Sequence, residues 1–132
     1  MNIHSASVQE LSVTMYRRLY SLNHREDGYM REVLTKCKHG HPEFYNGEVA
    51  YIEDNNNILA WSLVFKHTYY KHEQHIIHLY TRKSYRGKGL ASKLIDFWTD
   101  RYNNLRGHQD NSSIFQRYAV RQVLPGYTCS LK

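Results

Sequence analysis

The residues best suited to chemistry in this sequence are Arg86 to Ala91, which read Arg-Gly-Lys-Gly-Leu-Ala. They lie between an apolar run ending at Tyr80 and a segment with helical periodicity. Glycines allow backbone N–H groups to crowd around an oxyanion, and the following helix adds unpaired N–H groups and the positive end of its dipole. Arg86 and Lys88 add positive charge. This order of strand, glycine loop and helix predicts an anion site whose ligand carries phosphates.

The glycine spacing separates this loop from two common phosphate-binding loops. A P-loop requires Gly-x-x-x-x-Gly-Lys-Ser/Thr, a run that the sequence lacks. A dinucleotide-binding loop requires Gly-x-Gly-x-x-Gly within a βαβ unit, but Ser92 stands at the third glycine position and no such unit is evident. The spacing therefore argues against a nucleoside triphosphate or dinucleotide site.

The elements around the loop predict a layered α/β or α+β domain. An edge strand at Met1–Ala6 precedes two helices, and the turn residues Asn55–Asn57 join two strands into a hairpin. The remaining predicted strands cover Glu48–Glu53, Ile58–Phe65 and His75–Thr81. The segment at 66–74 is polar and predicts a loop or a frayed strand end. The resulting order is β, α, α, β, β, β, α.

Three helices follow from apolar periodicity. The first begins at Ser7, with Ser7 and Glu10 as a capping box, and the second covers Asp27–Lys38 and ends at Gly40. The apolar face of the first helix comprises Val8, Leu11, Val13, Met15, Leu19 and Leu22. That of the second comprises Met30, Val33, Leu34 and Cys37. That of the third comprises Leu90, Ala91, Leu94, Ile95 and Trp98, and Trp61 and Trp98 are expected in the core.

The bulk composition predicts a single domain over residues 1–132, whose positive charge fits either an anionic partner or a basic surface that serves solubility. The chain has 132 residues, 41% hydrophobic content and a net charge of +6, which favours nucleic acid or a polyphosphate cofactor. Its longest apolar stretch is too short to span a membrane, and its N-terminus lacks the features of a signal peptide. Cys37 and Cys129 are the two cysteines, so we expect a reduced, cytoplasmic protein.

The loop and its flanks resemble the GNAT superfamily of acyl-CoA-dependent N-acyltransferases. The family signature is Arg/Gln-x-x-Gly-x-Gly/Ala, and Arg86, Gly89 and Ala91 satisfy it in register. The longer run LYTRKSYRGKGLASKLI is similar to the family's strand, turn, glycine loop and helix, and YIEDNNNILAWSLV is similar to its second and third strands. Asn111 and Tyr118 stand seven apart, as in a helix of the family.

The resemblance implies a fold and an activity. The fold is a mixed, mainly antiparallel central sheet flanked by helices, here with a shortened C-terminal part. The segment NNLRGHQD at 103–110 is a poor strand, so the family's fifth strand is expected to be nearly absent. The implied enzyme moves an acetyl group from acetyl-CoA, its cosubstrate, to an amine on a protein or other macromolecule, without a metal.

The resemblance also assigns residues to the cosubstrate. The pyrophosphate would lie on the backbone N–H groups of Gly87–Ala91, which include Leu90, with ionic contacts from Arg86 and Lys88. Pantetheine would run beside Leu79, Tyr80 and Thr81, where a backbone N–H polarises the thioester carbonyl. Asn111 would complete the cofactor-binding set.

Two proton transfers require side chains as well. An ammonium has no lone pair, so the acceptor amine needs a base, for which Glu73, His75 and His78 lie on or just before the fourth strand. His78 shares a face with Ile76 and Tyr80, whereas His75 is on the opposite face. The leaving thiolate needs a proton, and Tyr118 matches the family's general acid by its spacing from Asn111.

Other readings stay open on the sequence. The fold could serve a non-catalytic binding or inhibitor module, or a protein that modifies a nucleic acid or a protein bound to it; Tyr69–His72 is an aromatic and basic cluster suited to such contact. His72, His75 and His78 recur every three residues, but on a strand His75 and His78 diverge, so no metal site is predicted. The acceptor and the oligomeric state are not encoded in these patterns.

Overall fold

The computed structural model of the chain describes residues 2–22, 28–68, 75–102, 105–108, 123–124 and 128–130. The strands are β1 (Asn2–Ser7), β2 (Phe44–Asp54), β3 (Asn57–His67), β4 (His75–Thr81), β5 (Leu105–His108), β6 (Val123–Leu124) and β7 (Thr128–Ser130). The helices are α1 (Val13–Leu22), α2 (Gly28–Lys38) and α3 (Leu90–Thr99), and single 3-10 turns occur at Val8–Glu10 and Lys83–Tyr85.

The strands form one sheet in the order β1-β2-β3-β4-β5-β7-β6. Among the described strands, β4 and β5 are the one parallel pair, and every other neighbouring pair is antiparallel. This confirms the predicted mixed, mainly antiparallel sheet. The C-terminal strands β6 and β7 are short, with two and three residues.

Helices pack on both faces of the sheet and divide the core in two. On one face, α1 and α2 cover strand residues that include Trp61, and the second helix buries the four residues predicted for it: Met30, Val33, Leu34 and Cys37. On the other face, α3 covers a second cluster with Leu90, Leu94, Ile95 and Trp98. The Trp98 Nε1–H donates to Ser62 Oγ at 2.7 Å, and the Ser62 hydroxyl donates to the Ala50 carbonyl at 3.1 Å. This buried chain of hydrogen bonds fixes α3 to the centre of the sheet.

The hairpin of β2 and β3 forms as predicted from its asparagines. Asp54 pairs with Asn57, which leaves Asn55 and Asn56 as a two-residue turn, and both have positive φ, at 50° and 66°. Asparagine tolerates this left-handed conformation, which the type I′ hairpin turn requires.

The predicted start of the first helix is wrong. Ser7 ends β1, Val8–Glu10 form a 3-10 turn, and Ser7 makes no side-chain cap, so the capping box with Glu10 is absent. The helix begins instead at Val13, where the Met15 N–H donates to Ser12 Oγ at 3.1 Å. Serine at this position satisfies one of the unpaired N–H groups of the first turn. The prediction failed because the apolar residues of the turn extend the periodicity of the helix backwards.

The second helix ends where predicted. Gly40 follows α2 with a φ of +70°, a conformation in which glycine terminates many helices. Asp27, the predicted cap of this helix, lies outside the described residues.

The fifth strand forms in a segment that the sequence marks as a poor strand. β5 pairs in parallel with β4, through Leu105 opposite His75 and Gly107 opposite Ile77, and antiparallel with β7 on its other side. Leu105 and Gly107 are buried. Pairing on both sides supplies the hydrogen bonds that local propensity does not favour, so tertiary context overrides propensity here.

Replacing Gly47 with Ala is expected to destabilise the fold by about 1–3 kcal/mol, a typical effect of overpacking a core. A Cβ at Gly47 would lie 2.8 Å from both Cβ and Sγ of Cys37 and 3.0 Å from Val8 Cγ2. Strand β2 therefore needs a glycine to let α2 approach. The midpoint of urea unfolding, compared at constant m value, measures the effect.

Gly28→Ala is the matched control for this substitution. Gly28 begins α2, and a Cβ there meets nothing within 4 Å. This variant is expected to be as stable as the wild type or more so, because alanine favours a helix. Equal unfolding midpoints for Gly47→Ala and wild type would contradict the close packing of α2 on β2.

Candidate active site

The glycine loop connects β4 to α3 through two left-handed glycines. After the turn at Lys83–Tyr85, Gly87 has a φ of +78° and Gly89 has a φ of +81°. Gly89 is the N-cap of α3. Residues with a Cβ adopt this conformation less readily, so the backbone path of the loop favours glycine at both positions.

The backbone N–H groups of this loop are available to a ligand. Within the part of the chain that the structure describes, the N–H groups of 87–92 donate no hydrogen bond, and the first bonded one is Lys93 N–H, to the Gly89 carbonyl at 3.2 Å. A Cβ placed at Gly87 or Gly89 meets nothing within 4 Å, so the space in front of the loop is open. Unpaired N–H groups at a helix N-terminus are suited to binding an anion, which is the role that the sequence predicts for this loop.

Positive charge surrounds the loop. The run from Arg82 to Lys93 contains five cationic side chains and no carboxylate. Arg86 donates from Nε to the Thr81 carbonyl at 2.9 Å, and its guanidinium lies 5.7 Å from the ring centroid of Tyr80. Lys88 Nζ lies 5.2 Å from the ring centroid of Tyr85. Each of the two loop cations thus has a tyrosine ring within contact distance.

The strand that leads into the loop extends past its parallel partner. The register between β4 and β5 covers His75–Ile77, and β4 then continues through His78–Thr81 to the loop. On its other side β4 stays paired with β3 as far as Thr81. The loop therefore lies beyond the point where the described pairing of the two parallel strands ends.

A sequence profile decides the family. The profile described as the acetyltransferase (GNAT) family matches residues 7–109, which include β4, the glycine loop and α3. The chain belongs to this family. The GNAT chain is therefore an acyl-CoA-dependent N-acetyltransferase, an enzyme that moves an acetyl group from acetyl-CoA to an amine. No curated protein matches its sequence.

Solved structures share the fold of the GNAT chain at low sequence identity. An acyl-CoA N-acyltransferase from Pseudomonas aeruginosa has a TM-score of 0.66 at 12% identity, covering 98% of this chain and 95% of its own. A ribosomal-protein-alanine N-acetyltransferase from Brucella melitensis biovar Abortus 2308 has a TM-score of 0.62 at 15% identity, covering 96% of this chain and 97% of its own. An aminoglycoside 6′-N-acetyltransferase complexed with coenzyme A has a TM-score of 0.64 at 9% identity, covering 99% of this chain and 94% of its own. Acceptors as different as these names state show that the fold does not specify the acceptor.

The predicted cofactor residues of the GNAT chain cluster at one end of β4. Leu79 and Leu90 are buried, Tyr80, Thr81 and Ala91 are half-buried, and the loop residues Arg86, Gly87, Lys88 and Gly89 are exposed. Asn111, Glu73 and Tyr118 lie outside the described residues, so their assignments remain predictions.

The two histidines of β4 lie on opposite faces, as predicted. The His78 ring contacts Tyr29 of α2, with 5.9 Å between centroids, and His78 is fully buried. The His75 ring stacks on Tyr102, with 3.9 Å between centroids, on the face covered by α3. Among the described residues no group of three or more His, Cys, Asp or Glu is placed to hold a metal ion.

Burial determines the chemistry of two further groups. It raises the pKa of the Cys37 thiol to about 12, so this cysteine stays protonated and belongs to the core. It also raises the pKa of Tyr102 to about 12, helped by the hydrogen bond that the Tyr102 hydroxyl donates to the Glu48 carboxylate. Cys129 has no described side chain. No helix in the described ranges has the length and apolar character of a membrane span.

Sequence reasoning missed one cation beside the site. Arg82 leaves the end of β4 and donates from Nε to the Ile58 carbonyl at 2.7 Å, which fixes its guanidinium next to the strand. Its signal in the sequence is a basic residue directly after a predicted strand and before the glycine loop.

His75→Phe is expected to flatten the dependence of stability on pH. Burial, with the charge of Lys66 as a smaller cause, lowers the pKa of His75. The folded state therefore binds this proton less readily than the unfolded state. The contribution of His75 to stability is complete above its unfolded pKa of about 6.5, and it is lost as the pH drops through the lower pKa of the folded state. As the pH is lowered from 7 to 5, the melting temperature of the wild type should fall more than that of the variant.

His39→Phe is the matched control, because His39 is an exposed residue of the turn after α2. This variant should keep the wild-type pH dependence. If His75→Phe keeps it too, the stacked ring of His75 does not resist protonation.

Proposed function

We propose that this GNAT enzyme acetylates an amine of a protein, with the acetyl-CoA held by the glycine loop and the end of β4. The observation that carries the proposal is the loop itself, whose N–H groups at 87–92 donate to no described partner and belong to a run of the chain with five cations. Acetyl-CoA supplies the activated acetyl thioester and a pyrophosphate that matches this arrangement.

Different residues of the chain would bind different parts of acetyl-CoA. Backbone N–H groups of Gly87–Ala91 would hold the pyrophosphate, and Arg86 and Lys88 would neutralise its charge. Leu79, Tyr80 and Thr81 would align the pantetheine arm along β4. A backbone N–H of this strand end would donate to the carbonyl oxygen of the thioester and stabilise the negative charge that develops there.

The chain's side chains would carry the two protons. His78 would accept the proton of the acceptor ammonium, since an imidazole accepts protons near neutral pH. Glu73 is the alternative base. Tyr118 would donate a proton to the departing thiolate, and Asn111 would help to hold the cofactor.

A macromolecular acceptor is supported by the accessibility of the cations around the site. Arg17, Lys83 and Lys88 are exposed side chains close to or beside the strand end. A protein can reach such side chains from outside, whereas a small acceptor is normally enclosed by its site.

Two measurements, made one after the other, test the proposal. Acetyl-CoA at about 100 times its dissociation constant should stabilise the protein by about 2.7 kcal/mol. Incubation with isotopically labelled acetyl-CoA and candidate protein acceptors, followed by mass spectrometry, should then locate the labelled acetyl group on an amine. The absence of stabilisation by either acetyl-CoA or CoA would overturn the donor site. Stabilisation without transfer to any acceptor would favour a binding or inhibitor module.

A further inference from the structure

A cavity lies beside the glycine loop on the face of the sheet that α1 and α2 cover. Its volume is about 940 Å³, and it is bounded by α1, the β2–β3 turn and the segment that leaves β4. We call it the basic cavity, because its lining includes Arg17, Arg18, Arg82 and Lys83. Sequence patterns had not brought these four cations together, since they come from distant parts of the chain.

Three of the four cations have no compensating charge among the residues that the structure describes. Arg18 donates from Nη2 to Glu53 Oε2 at 2.9 Å, so its charge is balanced. For Arg17, Arg82 and Lys83, no carboxylate of the described ranges lies within ion-pair distance. The basic cavity therefore presents about three net positive charges to an occupant.

Backbone carbonyls hold two of these side chains in place. Arg82 donates from Nε to the Ile58 carbonyl at 2.7 Å, and Arg18 donates from Nη2 to the Asn56 carbonyl at 2.8 Å. These bonds fix the guanidinium groups before any ligand arrives. Binding of an anion to Arg82 consequently costs less side-chain entropy than binding to a free arginine.

The lining of the basic cavity is suited to a polypeptide segment. Small-molecule sites are mostly apolar and enclose their ligand, whereas this cavity is lined mainly by polar side chains that are exposed. Hydroxyls of Thr14 and Ser84 can exchange hydrogen bonds with a main chain. The side chains of Ser21 and Asn57 already donate to the Arg17 and Asn55 carbonyls, and their oxygens can accept from a main chain. Tyr80 is the one aromatic residue of this lining among the described residues, so the cavity lacks the stacking surface typical of single-strand nucleic-acid sites.

The position of Tyr80 connects the basic cavity to the proposed reaction. Tyr80 lines the cavity and lies two residues after His78 on the same face of β4, about 7 Å along the strand. A segment bound in the cavity would thus place an adjoining amine next to the end of β4.

We propose that the basic cavity binds an acidic segment of the protein that this enzyme acetylates. The carboxylates of the segment would pair with Arg17, Arg82 and Lys83. The inference rests on the proposed function, which it deepens by naming the chemical character of the acceptor.

Fluorescence anisotropy with three labelled probes tests the proposal. The probes are the peptide Ser-Asp-Glu-Asp-Glu-Gly, its counterpart Ser-Lys-Arg-Lys-Arg-Gly, both labelled at the C-terminus, and a single-stranded DNA of twelve nucleotides. We expect the acidic peptide to bind at least tenfold more tightly than the basic one, and to remain bound when CoA fills the glycine loop. Stabilisation by acetyl-CoA, measured on the same samples, tests the donor site separately.

A pair of double variants locates the binding. Arg17→Gln/Lys83→Gln removes two cations of the cavity, and about tenfold of the affinity for the acidic peptide should be lost. Lys93→Gln/Arg101→Gln removes two cations of α3 and its C-terminal turn and should change that affinity less than twofold. Weak or equal binding of the two peptides, displacement by CoA, or an unchanged affinity in the cavity variant would each overturn the proposal. So would tighter binding of the DNA that depends on Arg17 and Lys83, which would assign the cavity to nucleic acid.

Discussion

Gly89→Asn is expected to remove the stabilisation of the protein by acetyl-CoA while leaving the fold intact. Gly89 has φ +81° and ψ 11° at the N-cap of α3, a conformation that asparagine tolerates. A Cβ there meets no atom within 4 Å, so the side chain fits the free protein. It would, however, add atoms to the open space at the loop, where the pyrophosphate is proposed to bind.

The size of this effect follows from linkage. If the side chain weakens binding 100-fold, a concentration that gives the wild type about 2.7 kcal/mol gives the variant about 0.4 kcal/mol. Thermal unfolding with and without acetyl-CoA measures both values. Gly28→Asn is the matched control, because Gly28 lies at the start of α2 with open space around it, and it should keep the full response. A full response of Gly89→Asn would place the pyrophosphate elsewhere.

The glycine loop was predictable from the sequence because its conformation depends on local chemistry. Glycine adopts the positive φ of Gly87 and Gly89 more readily than any other residue, and the apolar face of α3 follows directly in the sequence. The boundaries of β4 at His75–Thr81 were predicted without error for a similar reason. A short, nearly continuous apolar run between a polar stretch and a turn is typical of a buried strand.

Elements that depend on distant partners were predicted less well. β5 has few strand-forming residues, and it exists because β4 and β7 pair with its two sides. The start of α1 at Val13 depends on the Ser12 cap, whereas the apolar residues Val8 and Leu11 before it belong to a 3-10 turn and its end. In neither place does the local pattern of apolar residues identify the observed element.

The acceptor side of the site was the least predictable part. The basic cavity combines cations from α1 with cations that follow β4, which are more than 60 residues apart in the sequence. No motif connects them, because a cavity is selected for the chemistry of its surface and any suitably placed cation serves. A loop that binds a common cosubstrate recurs in the proteins that share this cosubstrate, whereas a surface that binds one particular acceptor does not recur.

His78→Phe is expected to lower the turnover of acetyl transfer by about 10²–10⁴-fold, the usual contribution of a general base. Phenylalanine keeps a ring against Tyr29 in this fully buried position but cannot accept a proton. Binding of acetyl-CoA should be unchanged, because the glycine loop and its cations are intact. Steady-state rates with the acceptor found by labelled transfer, together with thermal shifts by acetyl-CoA, measure the two properties separately.

The other histidine of β4 separates a catalytic role of His78 from a structural one. His75→Phe is the same substitution on the same strand, but its ring faces Tyr102 on the opposite side of the sheet, so turnover should stay at the wild-type level. A base also predicts rescue: as the pH rises and more of the acceptor amine loses its proton to water, the deficit of His78→Phe should shrink. A deficit that stays constant with pH would indicate that His78 only supports packing, and turnover within threefold of wild type would leave Glu73 as the candidate base. Rescue at high pH, seen with His78→Phe alone, would establish that the proton leaves the amine on the face of the sheet that also holds the basic cavity.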